Sequence, residues 1–164
     1  METFKTTVAQ LVSLKKYVFI ILPALLIFSC TPEDNAIESI DTTTTLIAKD
    51  NLYGNGAEGI EQKNMVITDA DSWTNLMNQM NSVNPITDAF YETDIDFSVY
   101  QVIAVFDEIK GNSGHSLKLD LIWEPDNIMV NITHSAPEGF AYDTMTQPFH
   151  IVKIEATDLP VLFE

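Results

Sequence analysis

Arginine is missing altogether from this 164-residue chain, and cysteine occurs once, at Cys30. Without the planar guanidinium fork nothing grips a carboxylate or a phosphate at two points, which argues against nucleotide and phosphoester substrates. A single thiol closes no disulfide within the chain and builds no multi-thiolate metal site, so the fold has to stand on its core alone. Positive charge is scarce too. From Cys30 onward five lysines face 23 acidic residues, a balance of −18. Such a surface repels nucleic-acid phosphates and anionic head groups, so no nucleic-acid partner is expected. The three histidines, His115, His134 and His150, include no pair at the i, i+4 spacing of a zinc-protease helix, and the serine elbow of the hydrolases is absent as well. Asp69 with Asp71, and Asp94 with Asp96, have the spacing of calcium ligands but not the glycine and distal glutamate of an EF-hand loop. No catalytic residue, no metal ligand and no cofactor is therefore expected.

What is present begins with a leader. Lys15 and Lys16 precede an apolar run of twelve, "YVFIILPALLIF", interrupted by Pro23 and followed by Ser29 and Cys30. A bilayer span needs about 20 apolar residues, so this run suits the core of a signal peptide instead. "LLIFSC" resembles the lipobox of bacterial lipoproteins, with a small residue before the cysteine that is acylated. Residues 1–30 are expected to be a lipoprotein signal peptide, with Cys30 lipidated and holding the protein to the membrane by its N-terminal lipid. "CTPED" is similar to the export tether of surface-exposed lipoproteins in the Bacteroidetes, which implies an outer-membrane lipoprotein facing the periplasm or the cell surface. Residues 31–45, rich in acids and threonine and poor in large apolar groups, bury too little to offset the entropy of ordering, and read as a flexible tether.

Residues 46–164 then form one domain of ordinary size. In "VITDADSWTNLMNQMN", Trp73, Leu76, Met77 and Met80 fall at i, i+3, i+4 and i+7, the single stripe of a helix lying on a sheet. Thr68 and Asp71 are placed to close its N-terminus as a capping box. "KNMVI" enters that helix as a strand. "DFSVYQVIAVFDE" is apolar on both faces from Val102 to Phe106 and belongs in the middle of the sheet. "SLKLDLIW" and "NIMVNITH" alternate cleanly and are joined by "EPDN", while "FHIVKIEA" closes the chain as its last strand. The fold class expected is α+β: a mainly antiparallel β-sheet, in meander order, with one amphipathic helix packed on it.

Between the central strand and the first alternating one lies "KGNSG", with His115 at its base. A phosphate loop would need a helix after its glycines; a strand follows, so a hairpin is expected, with Gly111 and Gly114 supplying positive φ. The stretch "HSAPEGFAYDTMTQPFH" is a long loop carrying Phe140, Tyr142, Met145 and Phe149. Large residues in such a loop more often cap the core than face a partner. If a binding surface exists, it is expected where this loop approaches residues 111–115. An edge strand there would also accept a partner strand.

"NSGHSLKLD" and "TQPFHIVKI", preceded by "VITDADSW" and "DFSVYQVIAVF", resemble the domain at the C-terminus of PrcB, a lipoprotein subunit of a spirochaetal surface protease complex. The likeness runs from about Leu52 to Ala156, with Ser113 and His115 standing where the family tends to have glycine and tyrosine. It implies a non-catalytic accessory module that binds or stabilises an envelope or surface protein, a protease among the candidates. It also draws attention to Gly111, Asn112, Ser113, Gly114 and His115, and to Gln147, Pro148, Phe149 and His150, as binding residues. The alternatives are a protease inhibitor and a small envelope enzyme or metal-binding protein of another type.

Overall fold

The computed structural model describes residues 44–164; the apolar leader, Cys30 and the expected tether up to residue 43 lie outside them. Seven strands and one α-helix follow in the order β1 (Thr45–Leu52), β2 (Lys63–Ile67), α1 (Ala70–Met80), β3 (Tyr100–Phe106), β4 (Ser116–Trp123), β5 (Ile128–Ser135), β6 (Gln147–Glu155) and β7 (Val161–Phe163), with a 3-10 turn at Ile86–Ala89. The class is α+β with mainly antiparallel sheet, as the periodicities imply. Among these residues no helix is long and apolar enough to cross a membrane.

The strands do not form one meander. β1-β6-β3-β2 make an antiparallel four-stranded sheet, and β4-β5-β7 make a second sheet in which β7 runs parallel to β5. β6 is therefore an interior strand, inserted between β1 and β3, and the chain ends on β7 instead. The reason is visible in its burial: every residue from Gln147 to Val152 is buried, so β6, like β3, needs cover on both faces.

That cover comes from two different layers. On one face, Val102, Ala104 and Phe106 of β3 and Phe149 and Ile151 of β6 meet Trp73, Leu76 and Met80 of α1. On the other, Ile103, Val105, Val152 and Ile154 meet Leu117, Leu119, Ile128 and Val130 of the second sheet. The main sheet is thus sandwiched between a helix and a smaller sheet, each strand residue facing one layer or the other by the period of two.

The helix is stopped and started differently from the expected capping box. Asp69, not Thr68, is the N-cap: its Oδ1 accepts the Ser72 N–H at 2.8 Å, and its Oδ2 takes the Ser72 hydroxyl at 2.8 Å. These bonds to Ser72 hold the Asp69 carboxyl below its ordinary pKa. The Trp73 indole N–H donates to the Thr93 carbonyl at 2.8 Å, so the buried ring leaves no polar atom unpaired.

Candidate functional site

β3 and β4 belong to different sheets, so "KGNSG" is no hairpin tip. It is the crossover between the two sheets, and its partner is the loop 136–146 that crosses back from β5 to β6. The two segments are bonded to one another along their length. Lys110 N–H donates to the Thr146 carbonyl at 2.7 Å and Thr146 N–H returns to the Lys110 carbonyl at 3.0 Å. The Thr146 hydroxyl donates to the Asn112 carbonyl at 3.0 Å. Further out, Ser113 N–H donates to the Tyr142 carbonyl and Tyr142 N–H to the Ser113 hydroxyl, both at 3.0 Å. Residues 108–115 and 136–146 thus form one cross-braced lobe, and sites 29 and 34 residues apart in the chain become neighbours.

Of the two glycines, only Gly114 has a positive φ, +86°; Gly111 does not, and a Cβ there would meet nothing within 4 Å. A Cβ on Gly114 would come within 2.7 Å of Pro137 Cβ. Gly114→Ala is therefore strained twice, by backbone conformation and by contact, and is expected to destabilise by about 1–3 kcal/mol. Gly111→Ala should be near neutral. Urea denaturation of the two variants side by side checks the contrast.

The foot of the lobe is a buried charge. Asp107, 3% exposed at the end of β3, accepts His134 Nδ1–H at 3.0 Å and Lys110 Nζ at 3.1 Å on Oδ2, and the Glu108 N–H at 2.8 Å on Oδ1. Its own N–H donates to the Pro148 carbonyl at 2.9 Å, and its carbonyl accepts Gln147 Nε2–H at 2.9 Å. Burial alone would raise the Asp107 pKa; the bonds from His134 and Lys110 outweigh it and hold the carboxyl below the usual range.

The residues singled out from sequence divide into two groups. Asn112, Ser113, Gly114 and His115 lie in the lobe, with His115 Nε2 2.6 Å from Asn112 Oδ1 and its carbonyl accepting Asn51 Nδ2–H at 3.2 Å; Gly111 lies there too, exposed. Gln147, Pro148, Phe149 and His150 are buried on β6, Phe149 also lining a cleft with Phe90 and Tyr91. Gln147 Nε2–H ties the Ile60 carbonyl to Asp107, each at 2.9 Å. Phe149 is wholly buried between Phe90 and Phe106, at 6.1 and 5.9 Å between centroids. Their position on an interior strand gives them a packing role.

His150 bolts the two sheets together. Its Nδ1 accepts the Leu119 N–H at 3.3 Å and lies 3.3 Å from the Leu117 carbonyl, both on β4. Burial depresses its pKa below the ordinary value; Lys49 adds to this, while the Leu117 carbonyl and Asp120 pull weakly the other way. A depressed folded pKa means that the unfolded chain binds the extra proton more readily. Its contribution is thus complete above about pH 6.5 and is lost as pH falls through the folded value. Urea midpoints should decline from pH 7 to pH 5, and His150→Gln should flatten that slope; an unchanged slope would refute the assignment.

Of the four large residues expected in this loop, Phe149 went to the core and the other three did not. Phe140 is 87% exposed, Tyr142 70% and Met145 42%. Phe140 and Tyr142 stack edge to face, centroids 5.4 Å apart at 84°. Sequence reasoning placed neither among the binding residues; two aromatics flanked by Glu138 and Asp143, in a loop with glycine and proline, were the available signal.

No family model, no curated protein and no solved structure matches the chain. Chemistry has to be read from the geometry itself. Each histidine is engaged separately, with Asn112, Asp107 and the β4 backbone respectively. Among the described residues no three His, Cys, Asp or Glu side chains stand together as a metal would require. Two shallow clefts, of ≈ 210 Å³ beside Lys49 and Tyr91 and ≈ 280 Å³ beside Phe97 and Asp158, are lined by neither histidine nor lobe residues.

Proposed function

We propose that this is a membrane-anchored lipoprotein of the bacterial outer membrane whose α+β domain is a non-catalytic protein-interaction module. An accessory role in a protease complex, of the kind the PrcB C-terminal family implies, fits that reading. One observation carries it: two exposed aromatic side chains on a crossover loop that is tied to the opposite crossover by backbone hydrogen bonds. Apolar groups that could fold inward and do not are the mark of a contact surface, and a braced loop loses little entropy on binding. Tyrosine and phenylalanine are also enriched at the energetic centres of interfaces.

The test is capture from detergent-solubilised envelope by the full-length protein, compared with Phe140→Ala/Tyr142→Ala. Both side chains are in solvent, so the variant should melt within a few degrees of the parent and lose its partner at least tenfold. A captured protease whose activity falls on binding would make the module an inhibitor. Equal capture by both proteins would remove the lobe from the account.

A further inference from the structure

We infer that the lobe receives a basic segment of a polypeptide, an arginine or lysine side chain lying against the Phe140 and Tyr142 rings with the carboxylates of Glu138 and Asp143 beside it. This rests on the interaction reading above and names the chemistry of what is bound. The edge-to-face arrangement matters first. The ring that supplies the edge has neither face covered by the other ring, and that other ring has one face uncovered; at 87% and 70% exposure both side chains stand largely in solvent. An aromatic face carries the negative end of the ring quadrupole and attracts a cation within about 6 Å of its centroid. The domain already shows this contact internally, where Lys153 Nζ lies 4.5 Å from the Tyr100 centroid.

Charge points the same way. Glu138 and Asp143 are exposed, within two residues of a ring, and among the described residues no salt bridge engages either, whereas the lobe's lysine, Lys110, has its Nζ turned onto Asp107 and Glu108. A partner cation therefore finds unneutralised carboxylates at the rings and no competing positive group on the lobe itself. Residues 44–164 carry 19 acidic side chains against five lysines, so the approach of a basic segment is also favoured at long range. A lipid surface fits less well, because entry of the rings into the interface would drag both carboxylates toward low dielectric and anionic head groups.

The probe is a labelled twelve-residue peptide of arginines spaced by glycine and serine, with a glutamate-for-arginine version as its control, titrated into the full-length protein in neutral detergent. Expected is saturable binding of the arginine peptide alone, weakened at least tenfold by Phe140→Ala/Tyr142→Ala, which leaves the net charge unchanged. Glu138→Gln/Asp143→Asn should weaken it about three- to tenfold and reduce its salt dependence. Peptide binding indifferent to the aromatic variant would reveal only diffuse attraction to an acidic protein and overturn the inference. So would protection of Phe140 and Tyr142 from hydroxyl-radical labelling by phosphatidylcholine vesicles carrying the protein and no peptide. Envelope capture separates the two claims: loss on removing the rings, with none on removing the carboxylates, keeps the interaction module and discards the basic segment. Capture that needs neither discards both.

Discussion

Phe149→Ala should lower stability by about 3–5 kcal/mol, the cost of removing a fully buried phenylalanine. The ring sits in a line of aromatic contacts that runs from Trp73 through Phe90 and Phe149 to Phe106, joining α1, the 86–91 turn, β6 and β3. On the sheet side little is free to collapse into the space. Phe106 and Ile151 are themselves wholly buried, and the main-sheet ladder fixes their backbones. A domain of this size has about 5–15 kcal/mol of stability in all, so the variant would be near its threshold at room temperature. Its melting temperature should fall by roughly 10–20 °C. Phe149→Leu, which keeps most of the volume, should cost less than half as much. The comparison also decides between packing and recognition at this position. If Phe149→Leu folds, it should bind any partner normally. A folded Phe149→Leu that had lost its partner would show that β6 takes part in binding after all.

The main-sheet core and the helix were legible because each is periodic on its own. Val102–Phe106 is apolar at every position, and such a run requires cover on both faces; the structure supplies the helix on one side and β4-β5 on the other. Leu117 and Leu119 against Lys118 and Asp120 declare one buried face, and β4 has one. β1 was not legible for a local reason. Its register against β6 shifts between Leu46 and Ala48, so Ile47 and Ala48 are buried in succession and the alternation breaks. β1 also opens at Thr45, inside the segment expected to be tether. β7 is three residues long, and its parallel pairing with β5 leaves no local trace.

The pairing of strands was the larger gap. Periodicity says that a strand has a buried face and is silent about which layer buries it, so four consecutive strands read as a meander until β6 is seen to enter between β1 and β3. The candidate site suffered from the same blindness. That residues 111–115 and the 136–146 loop meet was inferable from both flanking the same strands, yet Asp107, just past the end of β3, and His134, on β5 of the other sheet, are 27 residues apart. Nothing in their spacing announces a bond. The exposure of Phe140 and Tyr142 depends in turn on how tightly Thr146 and Tyr142 are held to the opposite segment, a property of the pair and of neither loop alone.

Asp107→Ala should therefore reach further than a core deletion of similar cost. The carboxylate gathers a histidine from β5, a lysine from the crossover and a backbone N–H, and removing it leaves those donors with water or with nothing. Lys110 is only 19% exposed, while half of the His134 side chain is in solvent and rehydrates readily. The net loss is about 2 kcal/mol, toward the middle of the range for an unpartnered buried donor once that rehydration is discounted. The pH signature is specific. Asp107 has a folded pKa below its unfolded one, so its stabilisation is present above about pH 4 and is lost as pH falls through the folded value. The parent should weaken steeply below pH 4, and Asp107→Ala should start lower and lose less. A double-mutant cycle with His134→Ala should return a coupling of at least 0.5 kcal/mol; additive losses would break the link. Because Asp107 stands where both crossover loops leave the sheets, its loss should also speed hydrogen exchange at the Lys110, Ser113 and Tyr142 amides, which close the lobe. Partner affinity should then fall in a variant whose aromatic pair is intact. That result would separate the bracing of the lobe from the contact it makes, and unchanged exchange at those three amides would show that the lobe stands without its buried charge.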